Sequence, residues 1–147
     1  MIVIGVDPDS DRHGVAIYLN GKLDALEMMD NVELIEHISA KFSLILVSIE
    51  NVMANNFIYT RNEKASKAEQ SKVGLCVGRC QQAQKELMRW LDHYSVPYVL
   101  HKPTRGNWAK NKAQFEAVTG WKGRSNVDTR SAAYFGMLAL KAAKRIG

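Results

Sequence analysis

The stretch "IVIGVD" ends an unbroken apolar run on a carboxylate, and few folds can accommodate such a segment. Continuous β-branched residues ask for a strand buried on both faces, so Asp7 at its end is mounted on a rigid edge. Pro8, Asp9 and Asp11 follow within four residues. Carboxylates this close repel one another unless something positive stands among them. A simple Asx-type turn accounts for Asp7 taken alone.

The rest of the chain builds around that strand. "GVAIYL" at 14–19 is a second strand, Asn20-Gly21 offers the two positive-φ residues of a tight hairpin, and "KLDALEM" alternates as a third strand. Val32, Ile35 and Ile38 recur at three-residue steps, with Leu34 beside them, as an amphipathic helix does. "SLILVSIE" is then expected as a central strand buried on both faces and ending in Glu50, brought parallel to its neighbours by a right-handed crossover.

Residues 51–62 are polar with isolated aromatics and form a loop, and 63–94 lack proline and predict one long helix or two short ones. Gly74 and Gly78 give that helix a small-residue face, expected to pack on the sheet, with a second subunit as the alternative. Cys76 and Cys80 share a helix face and are expected buried and reduced. "VPYVLHKP" is a further buried strand, 103–124 loop and short helix, and 126–145 a final helix. With no repeat or linker, 147 residues make one domain. No apolar run reaches membrane-spanning length and no secretory signal opens the chain, so a soluble, intracellular protein is expected.

Charge is divided unevenly. Residues 1–50 carry three basic side chains against nine acids, and residues 51–147 carry 17 against 6. A basic remainder beside an acidic first third suits a surface that holds a polyanion while carboxylates hold metal against it. An unevenly charged solvated surface is the plainer account.

If their strands are parallel, Asp7 and Glu50 both reach the carboxyl edge of the sheet, where open α/β sheets bind ligands. Asp128 heads a stripe continued by Ala132, Phe135 and Ala139, so it points along the packed face of the last helix. Ser125-x-x-Asp128 as a capping box is the competing account of that acid. Three gathered acids suit Mg²⁺, which takes one or two carboxylates plus phosphate oxygens. Two such ions about 3.5–4 Å apart serve phosphodiester hydrolysis. Lys102, Arg105, Lys110, Lys112, Lys122, Arg124 and Arg130, interleaved with Trp108 and Trp121, offer phosphate contacts and base stacking.

In these segments the chain resembles the RuvC-type Holliday junction resolvases of the ribonuclease H-like superfamily. The similarity lies in "GVDPDSDRHGVAIY", "SIENVMANN", "KVGLCVGRC", "HKPTRGNWAKNKAQF" and "NVDTRSAAYFGMLAL", in the family's order along nearly the whole chain. It implies an α/β, ribonuclease H-like fold with a mixed five-stranded sheet and helices on both faces. It also implies a homodimeric, Mg²⁺-dependent endonuclease, with Mn²⁺ as substitute, that nicks branched DNA at four-way junctions and leaves 5′-phosphate ends. Asp7, Glu50 and Asp128 match the family's metal ligands, Lys112 falls near a basic active-site residue, and Lys102 takes a phosphate-binding role.

Two positions depart from the family. Ser131 stands where a second acid of the last helix is usual, with Asp9 or Asp11 as possible substitutes, and Met53 stands where an aromatic is usual, leaving junction stacking to Phe57 or Tyr59. The short chain and these departures fit a phage or viral version, working in the cytoplasm of a bacterial or infected cell. Two other functions stay open: a branched-nucleic-acid-binding protein that has lost the chemistry, and a nuclease for structured RNA or flap and fork DNA. An actin-like ATPase needs two such domains.

Overall fold

Asn20 and Gly21 adopt φ of 48° and 83°, the backbone of a two-residue hairpin turn whose twist matches its flanking strands. They join β2 (His13–Leu19) to β3 (Lys22–Met29), and β2 pairs antiparallel with β1 (Ile2–Asp7) on its other side. The expected meander is present. The computed structural model describes residues 1–41, 43–54 and 67–146.

Helix α1 (Asn31–Ser39) starts at a reciprocal capping box between Asp30 and Glu33 and buries Leu34 and Ile38. The chain then crosses to β4 (Ile45–Glu50), which pairs parallel with β1 and sets Val6 opposite Ile49. A short 3-10 helix, Val52–Ala54, precedes α2 (Lys67–His93), and β5 (Tyr98–His101) returns parallel to β4. The sheet order is β3-β2-β1-β4-β5. Two helices complete the chain, α3 (Lys112–Thr119) and α4 (Val127–Ile146). This is the mixed five-stranded α/β architecture expected.

Side-chain alternation sorts the sheet into two faces. Ile2, Ile4, Val6, Val47 and Ile49 pack with Leu34 and Ile38 of α1 and Leu87 and Leu91 of α2. Val3, Ala16 and Tyr18 pack on the opposite side with Phe115, Ala132, Ala133 and Ala139. Period two therefore assigns Asp7 and Glu50 to the α4 face. Helix α4 lies so close to β1 that a Cβ at Gly5 would collide with the Ala132 carbonyl. The Tyr18 hydroxyl donates to the Ala133 carbonyl at 2.6 Å, fixing the helix along the strands.

Several expectations are corrected. Gly78 faces open space, with nothing within 4 Å of a Cβ built on it, so it does not pack on the sheet. Leu75 on the same helix is 55% exposed. Cys76 is exposed and Cys80 half-buried, both as free thiols. Strand β5 is the sheet edge, so Val99 and Leu100 stay partly exposed, and in β4 only Val47, Ser48 and Ile49 are fully buried. The cap of α4 is Asn126 rather than Ser125: Asn126 Oδ1 accepts from the Thr129 N–H at 2.8 Å, and Thr129 Oγ1 accepts from the Asn126 N–H at 2.9 Å. No described helix is long and apolar enough to cross a membrane.

Candidate active site and nucleic-acid interface

Asp7 and Glu50 end neighbouring parallel strands and point to the same side, so their carboxyls meet under the first turns of α4. The two carboxyls are close enough for each to bear on the other's ionisation. Burial, then the Glu50 charge, push the Asp7 carboxyl up to about 9. Burial raises Glu50 as well, its bond to Asp7 working against the rise. Without a cation, two such groups cannot both ionise cheaply.

Helix α4 supplies the rest of the cluster. Ser131, 2% exposed, donates its hydroxyl to Glu50 Oε2 at 3.5 Å, and its nearness to Asp7 partly offsets the rise in that carboxyl's pKa. Asp128 lies one turn earlier, where burial and the nearby Asp9 raise its pKa, and its charge bears on both Asp7 and Glu50. What lets α4 come this near is Gly14. That residue lies opposite Asp7 across the sheet, and a Cβ there would stand 2.5 Å from the Asp128 carbonyl carbon and 2.9 Å from its Cβ.

The turn beside Asp7 is pinned from behind. Buried His13 accepts the Asp9 N–H at Nδ1, 3.0 Å, and its Nε2 lies 2.6 Å from Asn31 Oδ1. Those partners require the neutral ring protonated on Nε2, and burial lowers its pKa accordingly. Asn31 in turn reaches the Ala83 carbonyl of α2 at 3.4 Å. Beyond Glu50, buried Gln84 of α2 accepts the Val52 N–H at 2.8 Å and donates to Asn51 Oδ1 at 2.9 Å. Behind the acids, His101 donates to Ser48, and Ser48 to the Phe135 carbonyl, at 2.8 and 2.7 Å. Motif reading missed His13, Asn31, Gln84 and Ser48, because Asn31, Gln84 and Ser48 find their partners far along the chain and His13 joins the local Asp9 turn to distant Asn31.

All donors in the cluster are oxygen, and the site is short of positive charge, the two properties a hard divalent cation answers. That donor chemistry suits a hard cation such as Mg²⁺ or Mn²⁺ rather than a softer metal. Among the described residues no group of three or more acid, histidine or cysteine side chains stands together closely enough to hold a metal ion.

The basic segment runs along the α4 side. Lys102 follows β5, Lys112 opens α3 below the Asn111 cap, and Lys102, Arg105, Lys110, Lys112, Lys122 and Arg124 are exposed. Trp108 is not available for base stacking: it is 3% exposed and packs edge-on against Tyr134 beside Phe115. Trp121 is half-buried and donates its indole N–H to the Arg124 carbonyl at 3.0 Å. Arg130, expected on nucleic acid, instead turns its guanidinium into the protein, because α4 carries it over the short helix at Trp108–Lys110. Phe57 and Tyr59 lie outside the described residues.

The fold is that of RuvC. One similar structure, described as "T. thermophilus RuvC in complex with Holliday junction substrate", has a TM-score of 0.67 at 15% identity, covering 99% of this chain and 96% of that one. A second, "Thermus thermophilus RuvC structure", gives 0.60 at 16%, covering 99% and 97%. No family model and no curated protein sequence matches the chain.

Proposed function

We propose that this chain is a divalent-cation-dependent endonuclease that nicks branched DNA, four-way junctions above all. The observation that carries the reading is the meeting of Asp7, Glu50, Ser131 and Asp128 at one edge of a RuvC-like sheet, beside a run of exposed lysines and arginines. A neighbour of this fold is described with a Holliday junction, which favours that substrate over linear duplex. Mg²⁺, with Mn²⁺ as substitute, supplies charge stabilisation and an activated water when bound.

The chain's own residues do the remaining work. Asp7, Glu50 and Asp128 hold the cation, Lys112 and Lys102 neutralise the scissile phosphate, and Arg105, Lys110 and Arg124 grip the neighbouring backbone. Phe57 and Tyr59 are candidates for stacking at the junction centre. The products are 5′-phosphate and 3′-hydroxyl ends. A homodimer, one site per strand cut, suits a substrate of near two-fold symmetry, and the exposed Leu75 beside open Gly78 supports α2 as its contact. The cytoplasm of a bacterial or phage-infected cell is the expected setting.

The test incubates purified protein with labelled four-way, three-way, flap and linear DNA, with and without Mg²⁺. Paired nicks at the four-way junction, lost in chelator and in Asp7→Asn while junction binding persists, are the expected result. Full cutting by Asp7→Asn would end the proposal. Ser131, where a carboxylate would bind a cation better, favours a second reading: a junction-binding protein without chemistry. Salt-sensitive binding with no cleavage in either metal would select it.

A further inference from the structure

The most heavily engaged cation among the described residues lies on the helix turn that carries Asp128 and Ser131. Arg130 Nε and Nη2 both donate to the Ala109 carbonyl, at 3.1 and 2.9 Å, and Nη1 donates to Ser125 Oγ at 2.9 Å. A guanidinium forked onto one main-chain oxygen and a hydroxyl is locked in position and has few donors left for a ligand. Helical geometry turns Arg130 away from its neighbours Asp128 and Ser131. The same turn thus shows Asp128 and Ser131 to the sheet and its cation to the Trp108–Lys110 segment.

That segment is otherwise held by Asn107, whose Oδ1 accepts the Ala109 N–H at 3.0 Å, by Trp108, buried against Phe115 and Tyr134, and by Asn111, whose N–H returns to the Trp108 carbonyl at 3.1 Å. Asn111 also caps α3 by accepting the Gln114 N–H at 3.0 Å. Lys110 and Lys112 flank this knot. Among the described residues, the hydrogen bonds that tie this segment to the turn of Asp128 run from Arg130 to the Ala109 carbonyl.

We propose that Arg130 is a positioning residue that bolts the lysine-bearing 108–112 segment to the helix turn of Asp128 and Ser131, so that phosphate grip and carboxylate cluster keep one spacing. The proposal rests on the nuclease reading. Misplacement of a reacting group by about 1 Å can cost about 100-fold in rate, so the bolt acts on turnover and on where the nick falls. A residue holding phosphate directly would act on affinity and its salt dependence instead.

The experiment compares wild type, Arg130→Gln, Arg130→Lys and Lys110→Gln on a labelled four-way junction. Binding is measured across salt concentrations, along with single-turnover nicking at saturation and nick positions. Arg130→Gln is expected to keep the slope of log Kd against log salt, to nick about tenfold or more slowly, and to spread its nicks over adjacent phosphodiesters. Arg130→Lys, with charge but no fork, is expected to show the same spread. Lys110→Gln should lose about 0.9 of slope, as one phosphate contact predicts. A matching loss of slope in Arg130→Gln with unchanged rate would overturn the proposal.

Amide hydrogen exchange on the free proteins separates this idea from the nuclease reading. Exchange at Asn111 should quicken about tenfold or more in Arg130→Gln, and unchanged exchange would refute the bolt whether or not the wild type cuts DNA. A wild type that cuts nothing removes the nuclease reading alone.

Discussion

Gly14 lies opposite Asp7 on the neighbouring strand, and the Asp128 backbone rests on it. The distance between two acids from opposite ends of the chain is thus governed by a hydrogen atom in place of a side chain. Gly14→Ala should lower stability by about 3 kcal/mol, the scale of a core overfilled against backbone. It should also lift Asp128 off the cluster. Thermal melting reads the first effect, and the cation concentration needed for nicking, which should rise, reads the second. A variant with wild-type melting and cation dependence would contradict the packing described.

Asp7 titrates near 9 in the folded chain, against 3.8 for an ordinary aspartate. The fold therefore keeps a proton that the unfolded chain releases, so metal-free stability should fall as pH rises from about 4 to about 9. Glu50 adds in the same direction. Buried neutral His13 opposes it only below its ordinary value of 6.5, which makes pH 7 to 9 the clean window. In chelator the melting temperature should drop by about 5 °C or more across that window, with much of the drop abolished in Asp7→Asn. Millimolar Mg²⁺ or Mn²⁺ should restore the wild type and leave Asp7→Asn where it was. A flat profile in chelator would refute the raised Asp7 carboxyl.

Ser131→Asp puts a carboxylate where the serine hydroxyl now bonds Glu50. A fourth acid added to Asp7, Glu50 and Asp128 should raise the repulsion, so this variant should melt lower than wild type in chelator. It should also need about tenfold less Mn²⁺ for half-maximal stabilisation, since each added carboxylate raises affinity for a hard cation. Titrating melting temperature against Mn²⁺ measures both. Lower stability with no gain in metal affinity would place Ser131 outside the cation's reach.

The strand ends were legible because burial writes itself into composition. "IVIGVD" and "SLILVSIE" each run apolar to a carboxylate, and the α/β order makes them parallel. Asn20-Gly21 was legible because few other pairs tolerate two positive φ angles. The stripe Asp128, Ala132, Phe135, Ala139 placed α4 on the sheet for the same periodic reason.

What escaped was whatever depends on which residue meets which. A tryptophan among lysines looks alike whether it stacks on a base or fills a core, and Trp108 fills a core. Ser125 and Asn126 are both competent caps, and only the direction of the entering chain decides for Asn126. Arg130 carries the same charge as its exposed neighbours, and its aim into the protein follows from the seat of α4. Gln84 acts through a partner 32 residues away, and His13 ties a local turn to Asn31, 18 residues on, a link no local pattern shows.

The seating of α4 on bare backbone at Gly5 and Gly14 has a consequence for anyone reshaping this protein. Acids can be traded for other ligands at the rim, since each stands at the tip of its own support. The two glycines tolerate no such trade. A saturation library aimed at new metals or new cut sites would keep its survivors by leaving them untouched, and its dead clones would cluster at positions carrying no functional group at all.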